Sequence, residues 1–250
     1  MPECAHEPVI REHMSLSALS VHDYLCPGAP KQCAEEFATA SEIVLPRRGV
    51  FVRRNRFGRR LADPTSIMLF DRDDPFEIEH PVQQSDTSTV LSLSDRFVDK
   101  LRTLPGQEVS PLYELGVVPI TPTIAMAHYD LLSIASEFRT DPIKVEEKAL
   151  LLLAEIFSHL QEVSRIAAAR NNDNHRESRY PGYEIANEVA LLLNSNFRER
   201  LLLEDIAAFV DCSPYYLCRT FKNWTGHTIH QHLTELRMSA ALELLSNSRR

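Results

Sequence analysis

Residues 201–226 run LLLEDIAAFVDCSPYYLCRTFKNWTG, and the spacing within this stretch decides how the rest of the chain is read. Leu203, Ile206, Ala207 and Val210 recur at helical intervals, which gives a short helix one apolar face. Asp211 follows where a tight turn needs a residue that tolerates positive φ. Ser213 is a strong N-cap and Pro214 suits the first helical position, so a second helix is predicted from there. Leu217 and Phe221 face the first helix, leaving Tyr215, Cys218, Arg219 and Lys222 on the outer face, and Gly226 ends the helix. Two short helices about a tight turn, the second with one free face, form a helix-turn-helix shaped for a DNA major groove.

The 250 residues allow two domains, each able to bury a core. Hydrophobic content of 44% and charged content of 25% are those of a globular protein. No stretch approaches the roughly 20 apolar residues of a membrane helix. The N-terminus, MPECAHEPVIREH, is polar and has no signal-peptide apolar run, so a cytoplasmic location is expected. Five cysteines (Cys4, Cys26, Cys33, Cys212 and Cys218) without a CxxC pair fit free thiols in a reducing compartment. The formal net charge is −8, and from Tyr180 to Arg250 seven Lys/Arg face eight acids. That balance opposes indiscriminate binding to nucleic acid and leaves the placement of individual cations to decide.

Upstream, residues from about 14 to 100 read as short strands and turns. The β-prone runs are Ile43–Leu45, Gly49–Arg53, Ser66–Phe70, Phe76–Ile78 and Thr87–Leu93, which suggest a small barrel or sandwich. After Pro122 the pattern turns helical. Residues 123–138 place Ile124, His128, Leu131, Leu132 and Ala135 on one side. Residues 143–169 carry Leu150, Leu153, Ile156, Phe157, Leu160 and Val163 as an apolar stripe that covers the sheet, pairs with a twin in a homodimer, or both. Asn171 to Pro181 is polar and proline-ended and reads as a linker. A helix from Tyr183 to Asn194 then packs on the helix-turn-helix, and a last one runs from about Ile229 to Leu245 behind a Thr228 cap.

From Tyr183 onward the chain resembles the AraC/XylS family of bacterial transcription regulators. The matching pieces are LEDIA at 203–207, SPYYLCRTFK at 213–222, TGHTIHQHL at 225–233 and RMSAALELL at 237–245. LPRRGVFVRR at 45–54 and ADPTSIMLFDRDDPFEIEHPV at 62–82 are similar to the family's cupin-like sensing arms. The resemblance implies an α+β chain: a cupin-like β-barrel or sandwich (1–122), a helical dimerisation segment (123–170), a linker (171–182) and an all-α helix-turn-helix domain (183–250). It implies that Tyr215, Tyr216, Cys218, Arg219 and Lys222 form the face that meets double-stranded promoter DNA, with Arg219 bidentate to guanine. Ser213 and Thr228 are expected to offer backbone N–H groups to phosphates. An unidentified small-molecule effector would act on the β-domain. The family pattern also has a second helix-turn-helix after the joining helix, which is not found before Arg250. The alternative reading is therefore a truncated ligand-binding or dimerising protein that modulates full-length relatives.

Three further constellations point elsewhere or nowhere. Arg47, Arg48, Arg53, Arg54, Arg56, Arg59 and Arg60 fall within fourteen residues, followed by Asp63, Asp71, Asp73, Asp74, Glu77 and Glu79, so cross-strand ion pairing is favoured over an anion site. A cupin metal would need HxH with a nearby Glu and a later His; the sheet region proper offers only His80, and His6, His13, His22, Cys26 and Cys33 in the first 33 residues are spaced as in no standard site, so no metal and no cofactor are expected. No GxSxG, HExxH or glycine-rich phosphate loop occurs, so no enzyme activity is expected.

Overall fold

The computed structural model describes residues 8–27, 35–82, 85–102, 116–136, 141–169 and 181–248. Of the linker expected at 171–182, residues 171–180 lie outside the described residues and 181–182 begin a helix instead; Cys4, His6 and Cys33 also lie outside. Among the described residues, ten strands lie before residue 120: β1 Val9–Ser15, β2 Leu19–Cys26, β3 Glu36–Phe37, β4 Ser41–Arg48, β5 Phe51–Asn55, β6 Gly58–Ala62, β7 Ser66–Phe70, β8 Pro75–Glu79, β9 Asp86–Leu93 and, after one helix, β10 Val117–Pro119. They build a six-stranded sheet in the order β1-β2-β9-β4-β7-β10 and a four-stranded sheet in the order β3-β8-β5-β6.

The larger sheet is buried on both faces, which explains the unbroken apolar runs in β4 and β7. Val44, Met68, Phe70 and Val90 pack toward Phe51, Ala62, Phe76 and Ile78 of the smaller sheet. Their alternating neighbours Ile43, Leu45, Ile67, Leu69 and Leu91 face a second core formed with helices. Those helices are α1 (Asp95–Arg102), α2 (Pro122–Ala135) and α3 (Pro142–Ala169). The α+β class expected from the sequence is the one the chain adopts.

Several expectations change in detail. The strand expected from Gly49 begins at Phe51, because Gly49 takes φ +81° in the turn after β4. Residues 95–102, at the end of the region read as strands and turns and beyond its last β-prone run, form α1, with Ser94 Oγ accepting from the Phe97 N–H. β1 holds residues 9–13 of the N-terminus read as polar and is largely exposed at the sheet edge, which is why its pattern is weak, whereas β2 falls in the region read as strands and turns. On α3 the buried side is Val145, Ala149, Leu152, Leu153, Ile156 and Leu160, whereas Leu150 is turned outward. Pairing of the arginines with the acids that follow them is seen for Arg54 with Glu77 (3.5 Å), directly opposite on β5 and β8, and for Arg56 with Asp74 (3.1 Å) and Arg59 with Glu79 (2.6 Å), which are not on paired strands. Arg53 instead lies buried over the Phe70 ring and donates to the Leu69 carbonyl. Arg47 and Asp63 are buried with partners outside the cluster, described below.

The C-terminal helices are α4 (Pro181–Asn196), α5 (Leu203–Phe209), α6 (Pro214–Thr225) and α7 (Ile229–Ser248). They share a core of Ala186, Val189, Leu193, Ile206, Leu217 and Phe221, among others.

Candidate nucleic-acid interface and its seat on the β-domain

Local chemistry fixes α5 and α6 as a unit. Ile206 and Ala207 are buried on the inner face of α5, while Leu203, expected there, is exposed at its first turn. Leu202 caps α5 with no side-chain hydrogen bond, so that helix relies on its contacts with α6. Asp211 takes φ +50° in the turn. Ser213 Oγ then accepts from the Tyr216 N–H at 3.2 Å, Pro214 occupies the first helical turn, and Gly226 closes α6 at φ +79° with its N–H donating to the Lys222 carbonyl. Leu217, Thr220 and Phe221 are buried beneath the helix.

The outer face of α6 is open. Tyr215 is 78% exposed, and Tyr216, Cys218, Arg219 and Lys222 are exposed beside it. The sequence-predicted face is thus brought together on one side of one helix, carrying two cations, two phenols and a thiol. Thr228 caps α7 in a reciprocal capping box: its Oγ1 accepts from the Gln231 N–H (3.2 Å), and Gln231 Oε1 accepts from the Thr228 N–H (2.9 Å). The Thr228 N–H, expected to be free for a phosphate, is therefore held by Gln231. Trp224 is half-buried, edge-on to Tyr183 with ring centres 5.5 Å apart.

The opposite side of this unit is bolted to the β-domain, a feature sequence reading missed. Asp63 is 1% exposed and His232 of α7 is 3% exposed, and His232 Nε2 lies 3.0 Å from Asp63 Oδ2. Asn194 of α4 donates to the same carboxylate oxygen at 2.7 Å. The other oxygen accepts from the Thr65 N–H (2.9 Å) and hydroxyl (2.7 Å), and that hydroxyl lies 3.2 Å from His232 Nδ1. Burial alone would raise the Asp63 pKa, but His232, Thr65 and Asn194 hold it well below the usual carboxylate range.

A second seam joins α7 to the larger sheet. Ser239 Oγ donates to the Arg47 carbonyl (3.2 Å) and lies 2.9 Å from the Tyr129 hydroxyl of α2. The Arg47 guanidinium sits 3.0 Å from Asp23 and 3.9 Å from Glu243 of α7. His128 is buried nearby; burial, reinforced by the positive charge of Arg47, lowers its pKa to about 3, so its ring is neutral. A third contact has Tyr183 donating to the Arg59 carbonyl while the Arg60 guanidinium covers its ring. Gly226 packs so closely that a Cβ there would stand 3.0 Å from Pro119 Cγ. The helix-turn-helix is thereby held by three polar seams with its exposed face outward. No helix among the described residues is long and apolar enough to cross a membrane.

Residues 193–234 match the family model described as bacterial regulatory helix-turn-helix proteins, AraC family. The bifunctional transcriptional activator/DNA repair enzyme AdaA of Bacillus subtilis is 34% identical over 65 residues, covering 26% of this chain and 31% of that protein. This chain therefore spans less than a third of that curated relative. Among solved structures, fatty-acid-bound wild-type ToxT from Vibrio cholerae is 13% identical, with 94% of this chain and 83% of that chain covered and a TM-score of 0.40. A cupin superfamily protein from Desulfitobacterium hafniense is 9% identical, with coverage of 38% and 84% and a TM-score of 0.31.

Proposed function

Because residues 193–234 carry the helix-turn-helix of the AraC family of bacterial regulators, we propose that the chain is a cytoplasmic transcription regulator that reads promoter DNA with α6. The observation that carries this reading is the open outer face of α6, where Tyr215, Tyr216, Cys218, Arg219 and Lys222 stand clear of the β-domain that grips the unit from behind. Arg219 reads a guanine edge through two parallel N–H donors, and Lys222 neutralises a phosphate. The Ser213 backbone at the α6 N-terminus faces the same strand. Tyr215 and Tyr216 supply apolar and hydroxyl contact to a thymine methyl or the backbone.

The proposed regulator divides into a sensing β-domain (1–122), a helical segment (123–170), a linker (171–182) and the DNA-reading domain (183–250). The β-domain takes a small-molecule effector, and its influence on DNA reading passes through the Asp63, Arg47 and Tyr183 seams. An effector shifts the regulator only by binding two arrangements unequally, and these seams are the contacts that differ between a seated and a released helix-turn-helix. Ile143, Leu150, Leu151 and Ile166 are exposed along α3, which supports a homodimer through that helix.

The test is a salt titration of binding to duplex DNA bearing candidate promoter sequence. A reader that neutralises several phosphates loses affinity steeply with salt, with a log–log slope near −0.9 per phosphate. Binding that is weak and indifferent to sequence at every salt concentration would remove the regulator reading.

A further inference from the structure

At the end of the β-domain remote from any motif, three potential metal ligands converge. Cys26 closes β2, and Asp86 opens β9 directly opposite it in the antiparallel register. Directly opposed residues project to the same face of the sheet. That face is the one turned toward the smaller sheet, since Tyr24, two residues before Cys26, and Val90, four after Asp86, both pack in the core between the sheets. His80 follows β8 of the smaller sheet and completes the group. One donor atom from each residue, sulfur, nitrogen and oxygen, lies within 4.8 Å of the others, and all three residues are buried.

Asp86 Oδ2 stands 2.9 Å from His80 Nε2, while His80 Nδ1 completes no hydrogen bond among the described residues. Buried polar atoms in native proteins are nearly always paired, so a carboxylate, an imidazole with one nitrogen lacking a hydrogen bond and a thiol gathered at one buried point call for a shared partner. A cation is such a partner. Bonds of about 2.0–2.2 Å to nitrogen and oxygen and about 2.3 Å to sulfur put tetrahedral donors roughly 3.3–3.6 Å apart, well inside the observed spread. A mixed thiolate, imidazole and carboxylate set suits zinc and chemically similar divalent transition metals over calcium or magnesium, which take all-oxygen shells.

We propose that Cys26, His80 and Asp86 bind one zinc-class divalent ion, with a fourth position left for water or an incoming ligand. Such an ion staples β2 and β9 of the larger sheet to the end of β8 in the smaller one. Gly49 fits this placement: a Cβ there would stand 2.8 Å from Asp86 Cβ, so the glycine lets β9 start where its carboxylate reaches the site. Binding releases the Cys26 thiol proton to solvent, since the thiolate is the ligand form.

The full chain, stripped with chelator and titrated with Co2+, tests the proposal. One equivalent is expected to bind, with the visible bands of a four-coordinate ion and a thiolate-to-cobalt charge-transfer band in the near ultraviolet. Cys26→Ser is expected to abolish the charge-transfer band and weaken uptake at least tenfold, whereas Cys212→Ser with Cys218→Ser leaves both unchanged. Failure of the wild type to take up metal, or survival of the charge-transfer band in Cys26→Ser, overturns the site. Should Cys26→Ser not fold, X-ray absorption on the zinc-loaded wild type decides: one sulfur at about 2.3 Å among nitrogen and oxygen ligands supports it. A shell with no sulfur, or with two or more, contradicts it. Neither readout involves DNA, so the site stands or falls independently of the regulator reading.

Discussion

Replacing Asp63 with alanine tests whether the helix-turn-helix is bolted to the β-domain as its geometry suggests. The carboxylate accepts from the Thr65 N–H and hydroxyl and from Asn194 and sits 3.0 Å from His232 Nε2, and it is 1% exposed. Its removal leaves the Thr65 N–H, the Asn194 amide and the His232 ring without their shared buried acceptor. Breaking one partner of a buried polar pair costs about 3–5 kcal/mol, far more than an exposed ion pair contributes. For a chain of this size that corresponds to a fall in Tm of roughly 6–20 °C. Trp224, the single tryptophan, lies in the helix-turn-helix unit, so its fluorescence during urea unfolding reports on the element at issue. His232→Ala should cost a comparable amount, and the double variant should cost about 0.5–3 kcal/mol less than the two together, because each single change already breaks the shared contact. Additive effects, or a loss below about 0.5 kcal/mol for Asp63→Ala, a size typical of surface substitutions, would refute the reasoning.

Three other perturbations follow from the same geometry. His128 is buried neutral with its pKa depressed to about 3, so its contribution is fully present above the ordinary histidine value near 6.5 and declines as pH falls toward the folded value. Wild-type stability should therefore fall by about 1.4 kcal/mol per pH unit below pH 6 from this group, and His128→Leu should flatten that limb in urea melts at stepped pH. Below about pH 4, protonation of Asp63, whose pKa is also depressed, should add a steeper loss that Asp63→Ala lacks. Ser213→Ala removes the α6 cap and should cost about 1 kcal/mol in chemical denaturation. Gly226→Ala forces a left-handed residue against Pro119 and should cost about 1–2 kcal/mol, where a change within error would show that the helix end relaxes freely.

What the sequence disclosed was what local rules govern. Ser213, Pro214, Asp211 and Gly226 act on their own neighbours, so the helix-turn-helix could be read with its caps and its inner residues Leu217 and Phe221. The apolar runs of β4, β7 and β9 likewise announced strands. The seams were not legible because each joins residues far apart in the chain: Asp63 with Asn194 and His232, Arg47 with Ser239 and Glu243. Asp63 follows seven arginines in the sequence and reads there as their partner, while the fold turns it toward α7 instead. Its one local signal was the Asp63–Thr65 spacing, which forms a side-chain turn and fixes the carboxylate in place. Leu150 and Leu203 were misplaced for a different reason: periodicity gives a stripe, not which edge of the stripe meets the core. Cys26, His80 and Asp86 had no motif, since strand pairing and sheet packing alone bring them together.

The central claim, that the outer face of α6 reads base sequence, is tested most directly by selecting bound duplexes from a randomised library with the wild-type chain and with Arg219→Ala. The wild type is expected to enrich a defined motif containing a guanine, and Arg219→Ala to lose preference at that position at a cost of about 1–3 kcal/mol, with overall phosphate-driven binding retained. The same motif enriched to the same degree by both proteins would contradict it.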